Sequence, residues 1–459
     1  MARERSPGIK LLFAVLIGGA LLLPLLAVYA LVYDRQHQAR VAQDSITVGW
    51  GGPQVVSGPV LVIPYRAERV TSEQIDGKTV TRTVVERDEL FLSPESQQVT
   101  TDIDPDVKER SIYKTVIYLA KLGGTARFVL PPDLERFGVK RDQLLLNEAE
   151  FRFGASDSRG LQTDTKVAVN GTALPLKPGN GVASSGGSGF FGYFEWAEGE
   201  PLNVTWSYSL RGSRSLTLVP RGGSTEWKAK SSWPHPSFEG DFLPEHETSA
   251  SGFSADWSVT NLALGQSLLL DDDPGAPVVS DPGDRSLYMG ETGSGQSMAA
   301  TIRLVDPVDV YSRVDRSVKY GFLFIGFTFV AFLMFDIVGG ARVAAAEYLL
   351  TGAGLVLFFV MLLAFSEVIG FTLAYLLASA AIIGLLTAYS AAVLGSWGRA
   401  RFIGALLLGL YALLYVLLSL EAWSLMIGSV LLFFALAGVM YATRKIDWSS
   451  VGRSETAEA

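Results

Sequence analysis

Six stretches of this 459-residue chain run for membrane length, or close to it, without a charged side chain. They are Leu11–Tyr33, Tyr320–Phe335, Tyr348–Ser366, Val368–Gly398, Phe402–Leu420 and Ala422–Thr443. A hydrocarbon core of about 30 Å takes roughly 20 apolar residues as a helix. Only the second run falls short, with 16 residues before Asp336, and it turns apolar again through Ala341. One run stands at the start and five crowd the end, with the polar excursion Asp34–Arg316 between them. The expected fold class is therefore membrane α-helical plus β. It has one N-terminal transmembrane helix, a large β-rich, sandwich-like domain, and a five-helix C-terminal transmembrane bundle.

Charge and composition exclude several classes. A formal charge of -8 with no run of lysine or arginine argues against nucleic acid as a partner. The chain has no cysteine, which rules out disulfides, thiolate metal sites and thiol chemistry. Arg3, Arg5 and Lys10 precede the first apolar run, as they would in a signal peptide. The run is longer than a usual signal core, and Val28-Tyr29-Ala30 is a poor cleavage site, so an uncleaved anchor is expected.

Orientation follows from the basic residues. Besides the three at the start, Arg342, Arg399, Arg401, Arg444 and Lys445 mark one side, whereas the opposite turns carry Glu367 and Glu421. This reading puts residues 1–33 (cytoplasmic N-terminus and first helix), 317–443 (helices two to six) and 444–459 (cytoplasmic tail) around an exported domain, 34–316. Arg313, Arg316 and Lys319 disagree, but the rule is weakest beside long translocated domains. Trp397, Trp423 and Trp448, with Tyr29, Tyr33 and Tyr320, fall near predicted helix ends as interfacial anchors would.

The excursion reads as β. Asp76-Gly77 between Arg66–Ile75 and Lys78–Val85, and Asn170-Gly171 within Lys166–Leu176, are two-residue hairpin signals. Val60–Ile63, Ser111–Leu119, Asn203–Leu210 and Leu216–Pro220 are strands by residue type. The length implies two β subdomains or one large two-sheet assembly. Gly179–Gly189 is expected to be a mobile Gly/Ser-rich loop, and Asp271–Ser297 a long surface loop. After Pro131-Pro132-Asp133, a short helical piece is expected within Leu134–Gln143. Asp306-Pro307 is a good helix start, and Asp309–Arg313 and Asp315–Lys319 pair four residues apart along an edge of Val310, Val314 and Val318. The second membrane helix should therefore begin near Pro307 as a rigid stalk. Arg313, Arg316 and Lys319 are then a candidate lipid-facing cluster, or a solvated, self-paired helix face.

Four motifs, in order, carry a family resemblance. The first is Arg35–Tyr65, with Gln43-Asp44-Ser45-Ile46, Trp50-Gly51, Gln54, Gly58-Pro59 and Ile63-Pro64-Tyr65. The second is Arg110-Ser111-Ile112-Tyr113 with Val116-Ile117-Tyr118. The third runs from Gly212-Ser213, Pro220 and Gly222 through Ser232–Phe238, Gly240, Phe242-Leu243-Pro244, Gly252-Phe253 and Ala255-Asp256-Trp257. The fourth is Val305–Tyr311, Lys319-Tyr320 and Leu323-Phe324-Ile325, ending in Asp336. Together they resemble the CreD family of inner-membrane proteins, also called cell envelope integrity proteins. Ser111 departs from an expected glycine and Asp336 from an expected glutamate. The resemblance implies a multi-pass protein of the bacterial inner membrane, linked to envelope stress and integrity and often placed under a two-component regulator. It lends no catalytic residue. With the orientation above, both termini are cytoplasmic and 34–316 is periplasmic.

The densest candidate site is Trp233–Glu247, which holds His235 and His246 among Glu239, Asp241, Glu245 and Glu247. Such a set suits a divalent metal in principle, but there is no His-Glu-x-x-His spacing, and Pro234, Pro236 and Pro244 exclude a helix. The competing reading is a structural clasp in which Trp233, Phe238, Phe242 and Leu243 plug a core. Ser232 and Ser237 lie near His235, but no Gly-x-Ser-x-Gly elbow exposes a nucleophile. The candidate functional strip is thus Trp233, His235, Phe238, Asp241 and His246, with no catalytic, cofactor or metal assignment. Asp336 is the candidate intramembrane acid, with Arg342 as its partner. The expected role is non-enzymatic support of the envelope through the exported domain, whose partners are the lipid bilayer and another envelope protein or a glycan. An envelope glycan- or lipid-acting enzyme or binding module is the alternative, and a transporter the third.

Overall fold

The computed structural model describes residues 7–75, 78–132, 134–197, 200–277, 296–305, 310–337, 343–419 and 424–444. The chain forms two compact units, Val41–Pro307 and the combination of Met1–Arg40 with Val308–Ala459.

The strands of the first unit are β1 Gln54–Ile75, β2 Lys78–Leu92, β3 Ser96–Arg110, β4 Tyr113–Phe128, β5 Ala149–Ala155, β6 Lys166–Val169, β7 Thr172–Ala173, β8 Lys177–Pro178 and β9 Gly189–Phe194. They continue with β10 Leu202–Ser213, β11 Ser215–Val219, β12 Ser224–Ser231, β13 Pro236–Gly240, β14 Glu245–Ser249, β15 Gly252–Thr260, β16 Leu269–Leu270 and β17 Ala300–Leu304. One sheet of nine strands runs β13-β17-β11-β1-β5-β9-β8, with β2 beside β1 and β16 beside β2. The other, of eight, runs β14-β15-β12-β3-β4-β10-β6-β7. The alternating burial along β12 and β15 shows each turning one face to a common core. Aromatic side chains close that core from both sheets: Phe151 on Phe128 at 5.3 Å, Phe153 on Trp206 at 6.0 Å, and Phe190 on Tyr208 at 5.6 Å. The assembly is therefore one large two-sheet sandwich.

Local signals held where the chain folds back at once. β6 and β7 meet at Val169↔Thr172, and Asn170 and Gly171 both take positive φ (49° and 81°), as a primed turn demands. The register Ile75↔Lys78 leaves a two-residue connection between β1 and β2, although Asp76-Gly77 itself lies outside the described residues. The short helical piece expected within Leu134–Gln143 is present as two 3₁₀ turns. Two expectations need correction. Ser111 and Ile112 form the turn of a hairpin closed by Arg110↔Tyr113, so the strand starts at Tyr113. Gly179–Gly189 packs down: Val182, Ser184 and Ser185 are buried, and Ser185 Oγ lies within hydrogen-bond distance of the Val182 and Ser188 carbonyls. Most of Asp271–Ser297 (278–295) is outside the described residues, but its flanks meet at Gly275↔Gln296.

Ser111 has φ +59°, the left-handed conformation that glycine adopts without steric cost, which accounts for the expectation of glycine there. Ser111→Gly is therefore expected to stabilise the β unit by up to about 1 kcal/mol, seen as a higher melting temperature.

The second unit is helical: α1 Pro7–Ala20, α2 Leu22–Trp50 (whose last residues belong to the β unit), α4 Val310–Lys319, α5 Gly321–Ile337, α6 Ala345–Ile369, α7 Phe371–Val393, α8 Trp397–Ser419 and α9 Ser424–Thr443; α3, Asn261–Leu264, is a single turn in the β unit. Among the described residues five helical stretches are long and apolar enough to cross a membrane, Leu11–Trp50 and four after it. The sixth expected run is present as α9, 20 residues without a charge. Two breaks were not expected. The first span is interrupted at Leu21, because the Pro24 ring crowds the carbonyl four residues back, at Ala20. The stalk and second membrane helix are two helices, α4 and α5, with Tyr320 between them bonded in the three-residue pattern to Ser317. Gly321 packs closely there, and a Cβ would press on Leu25 Cδ1 at 2.8 Å and on the Phe359 ring at 3.1 Å. Val314 and Val318 of the expected apolar edge are buried in the helical core, with Val310 packed against it. Asp306-Pro307 and Asp309 lie outside the described residues.

Candidate functional site

Motifs distant in sequence meet where the end of α2 lies on the β unit. Gln43, Asp44 and Ser45 occupy successive positions there. Gln43 Nε2 donates to the Lys114 carbonyl at 2.8 Å, Arg214 pairs with Asp44 at 2.9 Å, and Arg110 donates to Ser45 Oγ at 2.8 Å. Two turns on, Trp50 Nε1 donates to the Tyr118 carbonyl at 3.3 Å. The Arg211 guanidinium covers the Trp50 ring at 4.4 Å, with Lys108 at 5.8 Å. Gly51 (φ +141°) lets the chain leave the helix, since a Cβ would sit 2.7 Å from the Arg211 carbonyl oxygen.

Beyond it, buried Gln54 uses both ends of its amide. Nε2 donates to the carbonyls of Arg211 (2.9 Å) and Asp157 (3.1 Å), while Oε1 accepts from Asp157 N–H at 3.1 Å. The Asp157 carboxylate is held below its ordinary pKa by the Arg159 guanidinium beside it, aided by the N–H groups of Gly52 and Arg159 and opposed by burial. Buried Tyr118 donates to the Ser215 carbonyl at 2.7 Å. Arg214 (φ +62°) is the corner at which the chain leaves the eight-stranded sheet as β10 and enters the nine-stranded sheet as β11. Ser213 N–H donates to the Gly52 carbonyl at 3.1 Å, so residues of three of the four sequence motifs share one hydrogen-bonded junction.

The Trp233–Glu247 strip crosses between sheets. β13 is the edge strand of the nine-stranded sheet, paired with β17, and β14 the edge strand of the eight-stranded sheet, paired with β15. Phe238 of β13 bridges them, lying 4.7 Å from the His246 ring, 5.6 Å from Phe253 and 5.8 Å from Trp257. Trp233 Nε1 donates to the Val305 carbonyl at 2.9 Å, while Val305 N–H donates to the His235 carbonyl at 3.2 Å. Asp241 accepts from Ala299 N–H at 2.8 Å, and Glu239 pairs with Arg303 at 3.0 Å. The strip therefore brings Phe238 and His246 together and holds Asp241 elsewhere. Among the described residues no three acidic or histidine side chains gather as a metal site.

In the helical unit Asp336 is buried, 3.5 Å from Val343 N–H; Arg342 is outside the described residues. Arg313 rests over the Phe371 ring at 5.6 Å. Lys319 pairs with Asp315 at 2.6 Å and lies 5.9 Å from the Tyr29 ring, while Arg316 is half-buried. Glu347 caps α6 through Ala344 N–H at 2.7 Å, and Glu367 accepts from Tyr311 at 3.2 Å. Sequence reasoning did not single out Asp44, Trp50, Arg110 or Arg214 as a site. Their pairing joins positions up to 170 residues apart (44 to 214), and no local pattern marks it.

Comparison with known proteins agrees with the motifs. The family model described as "Inner membrane protein CreD" matches residues 6–449. The protein named Inner membrane protein CreD from Escherichia coli (strain K12) is 33% identical over 439 residues, covering 93% of this chain and 90% of that protein. With a β-rich body and membrane-length helices at both ends, the chain belongs to the CreD family of inner membrane proteins.

Proposed function

We propose that this inner membrane protein supports the integrity of the cell envelope, or its response to stress, by contacts of its β unit and without catalysing a reaction. Both termini lie in the cytoplasm and residues 34–316 in the periplasm. The observation that carries this reading is the use of the polar strip: Trp233, Asp241, Glu239 and the His235 backbone all hold β17 and its flanks, and Phe238 joins the two sheets. The placement of basic residues on one side of the helices supports the orientation.

Alanine at His235, Asp241 and His246 tests the role. The two histidine variants are expected to keep abundance and envelope phenotype. Asp241→Ala, which leaves Ala299 N–H without its acceptor, should cost about 1 kcal/mol and lower abundance in proportion. A folded, fully abundant variant that loses the phenotype would instead favour a glycan- or lipid-acting site in the strip. Because the native chain lacks cysteine, Thr172→Cys reports the side of the membrane. It should react in intact cells with a maleimide that cannot cross the inner membrane, and protection there would refute the orientation.

A further inference from the structure

Within the helical unit, one face of α1, continued into α2, and one face of α5 form the walls of an apolar trench. Leu11, Gly18 and Leu22 line one side, Phe322, Gly326 and Leu333 the other, and its volume is about 240 Å³. The two walls run antiparallel, with Gly18 against Phe329 and Gly321 against Leu25. Every residue that lines the trench is apolar, so it offers water no partner. Val15 and Phe322, at its rim, are 62% and 51% exposed, so it opens outward from the bundle. In a membrane protein that side is hydrocarbon.

The dimensions of the trench select its occupant. Leu11 opens the uncharged run Leu11–Tyr33, and Leu22 is the midpoint of that run. The distance between them is about 16 Å along the helix, close to half of a hydrocarbon core about 30 Å thick. The trench therefore has the length of one leaflet. A helix about 10 Å across would take more than about 1,000 Å³ over the same length, several times the space present. A single hydrocarbon chain fits. Gly326 is an independent sign. A Cβ there would meet nothing within 4 Å, so no described residue crowds it, and the space it leaves belongs to the trench. Glycine in a helix interior is destabilising relative to alanine, and packing within the chain gives no reason for it here. Charge marks the boundary end. In the ten residues before Leu11, Arg3, Arg5 and Lys10 stand against one acid, Glu4, and Lys10 directly precedes Leu11. That balance suits a phosphate head group.

We propose that the trench between α1 and α5 holds one acyl chain of an anionic phospholipid, with the phosphate at the Lys10 end and the chain tip at Leu22. This goes beyond the role proposed above and does not depend on it. The test uses the full chain in mild detergent, titrated with phosphatidylglycerol or phosphatidylcholine, and native mass spectrometry counts the bound lipid. One phosphatidylglycerol per chain is expected to survive activation that strips the rest. Gly326→Leu fills the trench and should lower that occupancy about fifteenfold, as for two displaced methylene groups. Gly326→Ala displaces about one and should lower it about fourfold. Gly19→Leu is the control, because a Cβ at Gly19 also meets nothing within 4 Å and Gly19 does not line the trench. It should leave occupancy unchanged. Lys10→Gln should weaken phosphatidylglycerol about fivefold and phosphatidylcholine far less. Neither Gly326 variant should lower the melting temperature, since both residues are better helix formers than glycine. If leucine does lower it, Gly326→Ala decides the matter. Occupancy that both Gly326 variants leave intact overturns the proposal, as does an equal loss in Gly19→Leu. A preference for phosphatidylglycerol that survives Lys10→Gln overturns it too. So does loss of a dimer in Gly326→Leu with lipid retained, which would make the trench a helix contact between two copies.

Discussion

Arg221→Ala is expected to destabilise the β unit by about 3–5 kcal/mol, because it strands a nearly buried carboxylate without its cation. The Arg221 and Asp273 side chains are 2% and 8% exposed. Arg221 donates Nη2 to Asp273 Oδ1 and Nε to Ser57 Oγ at 3.3 Å, and the second Asp273 oxygen accepts from Ala183 N–H. Alanine removes the cation and leaves the anion with one N–H. Removing both charges is a different experiment. Arg221→Met with Asp273→Leu should recover most of the loss, since apolar replacement of a whole buried pair is often nearly neutral. Recovery will be incomplete, because Ala183 N–H then lacks its acceptor. Denaturation followed by tryptophan fluorescence reads this unit well: six of the nine tryptophans (50, 196, 206, 227, 233 and 257) fall within Val41–Pro307. Equal loss in the single and double variants would show that the pair itself stabilises, and that the stranded charge is not the cause.

Trp227→Ala should cost a similar amount, about 3–5 kcal/mol, by a different route. Trp227 is 1% exposed, in the strand between β15 and β3, and its ring stacks on Trp257 at 4.2 Å. Its Nε1 donates to Thr101 Oγ1 at 2.9 Å. Truncation opens a cavity, unstacks Trp257 and leaves the Thr101 hydroxyl buried without that donor. Trp227→Phe retains a ring to stack and loses chiefly the hydrogen bond, so its cost should be well under half. The exciton signal of the stacked indoles in circular dichroism should vanish in both variants, which separates the optical effect from the energetic one. If Phe proved as costly as Ala, the hydrogen bond and not the volume would be the larger contribution.

What could be read in advance follows the range of the forces involved. Membrane helices announce themselves because the bilayer sets their length locally. Asn170-Gly171 announces a hairpin because its residues suit the positive φ that the turn needs. The glycine expected at Ser111 came from the family resemblance alone, because the residues from Ser111 on look like a strand and the turn leaves no signal there. The breaks at Leu21 and Tyr320 are partly legible, through Pro24 and Gly321, but only once helix packing is considered. Three features left no local trace. The parallel pairings of β1 with β11 and of β3 with β12 join strands more than a hundred residues apart. Arg221 and Asp273 meet across 52 residues. The strip was read as extended and proline-fixed, yet its attachment to the edges of two different sheets depends on strands that the pattern does not order. Asp44 and Arg110 stand in separate motifs and Arg214 in none, and nothing local says that they meet.

The uninterrupted passage of β10 into β11 has a practical consequence for dissecting this protein. One length of polypeptide, Leu202–Val219, supplies a strand to each layer with only Arg214 between. Neither layer can then be excised as a fragment that retains its own hydrogen-bonding neighbours. A truncation ending anywhere inside that length would deprive both halves of a partner, so a soluble version for crystallisation or binding work has to keep the whole body from Val41 onward.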